Sequence, residues 1–203
     1  MGSLCNKTVN VKETKVISHN VKNDKKIKED LELIKKKEEE INKKNLDLYA
    51  IQAMIKKENE EILPLNNDLQ IFVKNFSEFE ENMIISVNNK QMDPTNSEYD
   101  EEIQKEKTKS EETFDLLKLK QEHLLEIEGR IKQIENKLKI HETDKNTGTD
   151  SLISRTFASF DVLENEISNS KNMLNSIDKS KKNIDRIYEE IKSYSITKIT
   201  RFE

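Results

Sequence analysis

The side chains best suited to chemistry in this 203-residue chain are one cysteine and three histidines. His19, His123 and His141 are far apart in the sequence. His123 and Glu126 are three residues apart, so they can meet on one face of a helix, but a metal site needs at least one further set of ligands. We therefore predict that the histidines lie on exposed helix faces and that no metal is bound.

The glycines and the cysteine form no catalytic motif. A phosphate-cradling loop needs clustered glycines, whereas Gly2, Gly129 and Gly148 are isolated. Gly129 lies inside a predicted helix and could mark a close approach of two helices. Cys5 has no motif partner that would activate it as a nucleophile, and a single cysteine excludes an intramolecular disulfide. We predict a protein that is not an enzyme and has no cofactor and no small-molecule substrate.

The first residues carry a motif for lipid attachment. The run MGSLCNK at residues 1–7 resembles the substrates of N-myristoyltransferase, although Asn6 departs from the usual Ser or Thr. The resemblance implies that Gly2 is myristoylated. Cys5 is then well placed for palmitoylation, the second signal that stable anchoring needs, and the lysine-rich stretch 1–28 would contact an anionic membrane surface.

Two other interpretations of this N-terminus stay open. The first residues could be accidental or a cloning remnant, with Cys5 a bystander. Alternatively, Cys5 could be the lipidated first residue of a bacterial surface lipoprotein.

The composition favours long helices over a compact domain. Charged residues make up 37% of the chain and hydrophobic residues 33%, which suffices for narrow seams between helices but not for a broad core. Lys and Glu are interspersed and the net charge is −5, so no segregated basic surface for nucleic acid is expected. The chain has no run of roughly 20 apolar residues and no apolar signal-peptide core. We expect a cytoplasmic protein, either free or attached to the cytoplasmic face of a membrane.

The main structural signal is a heptad repeat. Nine successive positions seven residues apart are apolar, which places them in one stripe along an α-helix that pairs as a left-handed coiled coil. From Leu65 to Val87 both seam positions are apolar, so we expect the tightest packing there. From Ile34 to Ile62 the stripe is one residue wide, which predicts a looser contact or a surface that binds another chain. This heptad stripe consists of Ile27, Ile34, Ile41, Leu48, Ile55, Ile62, Leu69, Phe76 and Met83.

The companion seam position, four residues after the stripe, is polar at Glu38, Asn45, Gln52, Asn59 and Asn66. Buried amides there could set helix register or partner number. Alternatively these side chains are solvated, which the cost of burying four successive amides favours. Lys181, at a seam position of the last helix, has the same two interpretations: a device for specificity, or a side chain that reaches out to solvent.

The breaker residues divide the chain into four parts. We predict a flexible basic arm at 1–21, a long helix at 22–90 kinked near Pro64, a second long helix at 97–143, and a C-terminal heptad helix at 150–203. Short connections make neighbouring helices antiparallel. The predicted fold is therefore all-α: a slender bundle of three to four antiparallel coiled-coil helices. A longer dimer of helices that do not fold back is the competing arrangement.

These patterns predict a non-enzymatic coiled-coil scaffold, tether or assembly subunit that binds other coiled-coil proteins or itself. The last helix, with Lys181 between Ile177 and Ile184, is also similar in outline to a SNARE motif. That resemblance implies a fusion protein, although SNAREs carry Gln or Arg in this layer and usually a following membrane span. The predicted partner-binding seam consists of Ile34, Ile41, Leu48, Ile55, Ile62, Leu163, Ile167, Leu174, Ile177, Ile184 and Ile191.

Overall fold

The computed structural model is all-helical, and its helices pack against one another. It describes the backbone of residues 11–142 and 150–199 and the side chains of residues 24–142 and 150–193. Within these ranges the chain forms three helices: α1 (Val11–Met92), α2 (Glu98–Glu142) and α3 (Asp150–Ile199).

The cross-helix bonds show how the helices run past one another. Three bonded pairs of α1 and α2 have numbers that add to 188, so contacts descend through α2 as they ascend through α1: Ser86 with Glu102, Asp68 with Lys120, and Glu58 with Arg130. Three bonded pairs of α1 and α3 differ by 103 or 104, so both numbers ascend together: Gln52 with Thr156, Asn66 with Ser170, and Glu80 with Asn183. α1 is therefore the central helix of the bundle, and it contacts α2 and α3 along separate faces.

The core of the bundle follows the heptad stripe. Its six members from Leu48 to Met83 are at most 1% exposed. A second column, three residues after the stripe, includes the buried Ile51 and Leu65 and widens the apolar face of α1. A helix that packs against two others needs this wider face, because one seam faces only one partner. Phe76 contacts the rings of both Phe79 and Phe114 edge-on, with centroids 5.8 and 6.2 Å away.

Local sequence accounts for the helix ends. α1 continues through Pro64 without a loop, which bears out the expected continuity; this exposed proline removes one backbone donor there. The break before α2 ends at Asn96, whose Oδ1 accepts a 2.9 Å hydrogen bond from the Glu98 N–H. The carbonyl of Ser97 accepts from Glu101, so Ser97 lies at the cap position while the capping side chain is that of Asn96.

Two expectations from the sequence were wrong. α1 begins at Val11, so residues 11–21 are helical and not part of an arm; the chain has no glycine or proline between Gly2 and Pro64 that would stop the helix. Gly129 does not mark a close approach, because it is exposed and a Cβ added there would have no atom within 4 Å.

Candidate interaction surface

α1 extends far beyond the two helices that pack against it. Glu142, the last residue of α2, and Asp150, the first residue of α3, both lie level with residue 46 of α1 by the contact registers given above. Residues 11–45, which we call the α1 extension, therefore have no described helix of the same chain beside them. At 1.5 Å per residue the extension is about 50 Å long.

The heptad stripe continues into this extension, and among the described residues its members Ile27 and Ile34 lie open to solvent. Every side chain from residue 24 to residue 40 is exposed. Ile27, Leu31 and Ile34, which we call the apolar patch, are 52–56% exposed, whereas Leu48 is fully buried. An apolar stripe that is half exposed over several turns is a common mark of an interaction site. One repeat thus serves two environments, a bundle core and an open helix face.

Most of the predicted partner-binding seam is occupied within the chain itself. Ile34 is exposed, and Ile41, Leu174 and Ile191 are partly buried. The expectation of a looser or open contact from Ile34 to Ile62 was therefore wrong from Leu48 onwards. The other seven members face helices of the same chain and are buried: Leu48, Ile55, Ile62, Leu163, Ile167, Ile177 and Ile184.

The polar companion positions connect α1 to α3. Gln52 Nε2 donates a 3.0 Å hydrogen bond to Thr156 Oγ1. Asn66 is 7% exposed, donates to the Glu166 carboxylate at 2.8 Å and accepts from the Ser170 hydroxyl. The prediction that these amides are solvated was wrong for Asn66. Polar side chains of α3 recur at the matching spacing and satisfy the amides, so the pairs fix the register of the two helices.

Lys181 belongs to a charged cluster between α2 and α3. Its ammonium group donates to the Asp185 carboxylate and lies 5.8 Å from the centre of the Phe114 ring. Lys107 from α2 lies 3.2 Å from the same carboxylate and 5.6 Å from the centre of the Tyr188 ring. Lys181 is 9% exposed, so the prediction that it reaches out to solvent was wrong. The Phe114 ring and the Asp185 carboxylate hold the Lys181 ammonium group in the seam.

The lysines of this cluster change how Asp185 titrates. Partial burial raises the pKa of its carboxyl, but hydrogen bonds from Lys181 and Lys107 and their charges lower it further, so the net pKa lies below the ordinary 3.8. Burial likewise lowers the pKa of Lys107, and its bonds to Glu111 and Asp185 raise it above 10.5. Each group therefore stabilises the ionised form of the other.

A second ion pair lies inside the α1–α2 seam. Glu58 is 3% exposed and occupies the otherwise apolar column between Ile51 and Leu65. Arg130 Nε donates to both of its carboxylate oxygens, at 2.8 and 2.9 Å, and Nη2 also bonds Glu61. This ion pair was not predicted from the sequence. The signal that could have revealed it is a single acidic residue in an apolar column.

The histidines lie apart from one another. His123 is exposed at about two fifths of its side-chain surface and lies 3.8 Å from Glu126, on one helix face as expected. His141 is 8% exposed, so an exposed face was the wrong expectation for it; near the end of α2 it lines a groove together with Asp47 and Ala50 of α1. The described residues contain no cluster of three metal-binding side chains.

The residues of the proposed lipid anchor, Gly2 and Cys5, lie outside the described residues, as does the side chain of His19. No described helix is both long and apolar enough to cross a bilayer. Among the described residues, a groove between α2 and α3 has a volume of about 310 Å³ and is lined by Glu128, Lys132, Glu164 and Lys171 among others.

Comparison of the chain with protein families, with curated proteins and with solved structures gives no match.

Proposed function

We propose that this protein is a non-enzymatic scaffold or tether that binds its partner by helix–helix recognition along the α1 extension. In this proposal α1, α2 and α3 form an antiparallel coiled-coil bundle that serves as the rigid base. The contact order supports that arrangement, because contacts with α2 descend while contacts with α3 ascend along α1. The extension is the recognition element.

The observation that carries the proposal is the exposure of a heptad seam. Ile27 and Ile34 continue the stripe that is buried from Leu48 onwards, and Leu31 lies at the companion position between them, yet each of the three is more than half exposed. An unpaired helix leaves these apolar side chains in water, where they contribute nothing to its stability. A helix paired along this seam buries them. The fitting partner is an amphipathic helix with apolar residues at heptad spacing.

The polar contacts of the bundle support a rigid base. Asn66 and Gln52 bond residues of α3, and Arg130 bonds α1 from α2. These side chains must meet specific partners, so a shift of one heptad would leave buried polar groups unsatisfied. A bundle with fixed register holds the extension in a fixed direction, which a tether requires.

The test uses two substitutions that differ only in helix face. Ile34 and Leu33 are both 52% exposed, but Leu33 lies about 100° away from the seam. Each is replaced by Asp in the full chain, and proteins that co-purify from the native source are quantified by mass spectrometry. We expect Ile34→Asp to reduce specific binding about tenfold or more and Leu33→Asp to leave it nearly unchanged.

Neither change should unfold the bundle, because both side chains lie outside it. Unfolding curves and helicity of the two variants provide that control. Equal binding by wild type and Ile34→Asp would refute recognition through this seam.

A further inference from the structure

We propose that the partner of the α1 extension is a second copy of this chain, bound antiparallel with its centre between Glu32 and Leu33. Residues whose numbers add to 65 then lie opposite each other. This inference rests on the proposed function, since it names the occupant of the same surface. It follows from the continuity of the stripe and from the distribution of charge along the extension.

The apolar patch matches itself in this register. Leu31 of each copy lies opposite Ile34 of the other, which gives two adjacent apolar layers at the centre. Ile27 lies opposite Glu38 of the second copy. These layers continue the stripe of the bundle core, so a helix pair extends from the bundle along a seam that the chain already uses.

Charges along the extension alternate in blocks. Residues 25–28 are basic apart from Ile27, 29–32 acidic apart from Leu31, 35–37 basic, and 38–40 acidic. In the antiparallel register, basic block 25–28 faces acidic block 38–40, and acidic block 29–32 faces basic block 35–37. A parallel pair in register would instead place each block level with its own copy, and among the flanking charges only Asp30 would meet an opposite charge, from Lys35 of the second copy. Opposite blocks favour the antiparallel pair and like blocks disfavour the parallel one.

Glu38 distinguishes the antiparallel pair from the parallel pair most clearly, because it occupies a seam position. In a parallel pair it would face Glu38 of the second copy, so two like charges would share one layer. In the antiparallel pair it lies beside Lys28 of the second copy. Asp30, which flanks the seam, lies beside Lys37 in the same way. Lys28 and Lys35 are the one flanking pair of like sign in the antiparallel register.

A second copy fits this surface better than a polyanion does. Between residues 24 and 40 there are six lysines and seven acidic residues, a net charge of −1. This segment around the apolar patch has no net positive charge to attract an anionic membrane or a nucleic acid. The lysine excess of the whole α1 extension, eleven lysines against eight acidic residues, lies on either side of it. The segment carries charges of both signs, as pairing with a second copy requires.

The antiparallel pair also determines the arrangement of the two bundles. Each bundle begins level with residue 46, 13.5 residues from the centre of the pair. At 1.5 Å per residue, the two bundles face each other across a two-helix rod about 40 Å long. A parallel pair would place the bundles side by side.

Disulfide trapping tests the direction of the pair in the full chain. In a Cys5→Ser background, which removes the single cysteine, Ile27→Cys and Glu38→Cys are made separately, one of them with a mass tag. We expect a cross-link when the two variants are mixed and little from either alone, since residues 27 and 38 face each other across the antiparallel seam. Cross-links of each variant with itself would overturn the antiparallel register.

Charge reversal tests the same contacts without a cross-link. Three apolar side chains per copy make a small interface, so we expect a Kd on the order of 100 µM by sedimentation equilibrium. Asp30→Lys alone and Lys37→Asp alone should each raise Kd about tenfold, because each pair occurs twice in the dimer, and the double variant, which has the wild-type composition, should restore it. Glu29→Lys, on the face opposite the seam, is the matched control and should change Kd little.

These results separate the two proposals. A chain that stays monomeric up to about 1 mM refutes the self-pair. The proposed function is then tested by the co-purification experiment with Ile34→Asp and Leu33→Asp, because that experiment detects a partner of any kind. Self-association that Asp30→Lys and Lys37→Asp leave unchanged refutes the antiparallel register but not pairing through the seam.

Discussion

Replacing Arg130 by methionine should destabilise the bundle far more than replacing Glu58 by methionine, although each change breaks the same ion pair. Glu58 is 3% exposed, whereas the Arg130 side chain is 31% exposed. Without Arg130, a carboxylate stays in the α1–α2 seam with no cation. Without Glu58, the guanidinium still has Glu61 and access to water.

The magnitude follows from burial. Removing one partner of a fully buried ion pair costs about 3–5 kcal/mol. Because water can reach Glu58 through the space that Arg130 leaves, we expect Arg130→Met to cost about 2–3 kcal/mol. Glu58→Met replaces a charge by an apolar side chain in an apolar column and should stay within about 1 kcal/mol of wild type. The double variant, Arg130→Met with Glu58→Met, should also have a free energy of unfolding within about 1 kcal/mol of wild type.

Chemical unfolding followed by circular dichroism measures these values. Lys120→Met is the matched control, since it breaks the 2.6 Å pair with Asp68 across the same two helices. The side chains of Lys120 and Asp68 are 39% and 42% exposed, so Lys120→Met should lower the free energy of unfolding by less than about 1 kcal/mol. Equal losses for Arg130→Met and Glu58→Met, or a loss for Arg130→Met no larger than that of Lys120→Met, would refute the reasoning.

Three further predictions concern other parts of the chain. Gly129→Ala should stabilise the bundle by about 1 kcal/mol, because Gly129 lies inside α2 with open space around its missing Cβ; a lower unfolding midpoint would contradict this. Asp185 has a pKa below 3.8 in the folded chain, so its contribution is present above that pH and is lost as pH falls through the folded value; wild type should therefore lose stability more steeply than Asp185→Asn in acid unfolding below about pH 4. Gly2→Ala should release the protein from cell membranes if residues 1–7 are acylated, and unchanged fractionation would remove the anchor hypothesis.

Local pattern was enough to predict the helices. The heptad stripe from Ile27 to Met83 predicted one long helix, and its continuity across Pro64 correctly excluded a loop. A break was predicted at 88–97 from turn-forming residues and is found between Met92 and Glu98, and the start of the last helix near Asp150 was predicted in the same way. These features depend on propensity and spacing, which act between residues close in the sequence. The start of α1 was missed because the helix continues through Lys- and Val-containing residues that carry no seam.

Which polar seam residues are buried was not predictable from their own helix. Asn66 is buried because Ser170 and Glu166 provide its hydrogen bonds, and both are about 100 residues away. Lys181 stays in its seam because Phe114 and Asp185 surround it. A polar residue in a seam is costly or favourable depending on its partner, and periodicity contains no information about partners.

By itself, therefore, the sequence determined an all-helical chain with a single apolar stripe along its first helix. Only the tertiary structure decided how that stripe is used: buried against α2 and α3 from Leu48 to Met83, and open at Ile27, Leu31 and Ile34. The physical reason is length. α1 has 82 residues while its neighbours have 45 and 50, and both neighbours end level with residue 46. Heptads of the same repeat on one helix therefore form either the bundle core or an open surface, depending on where the other two helices end.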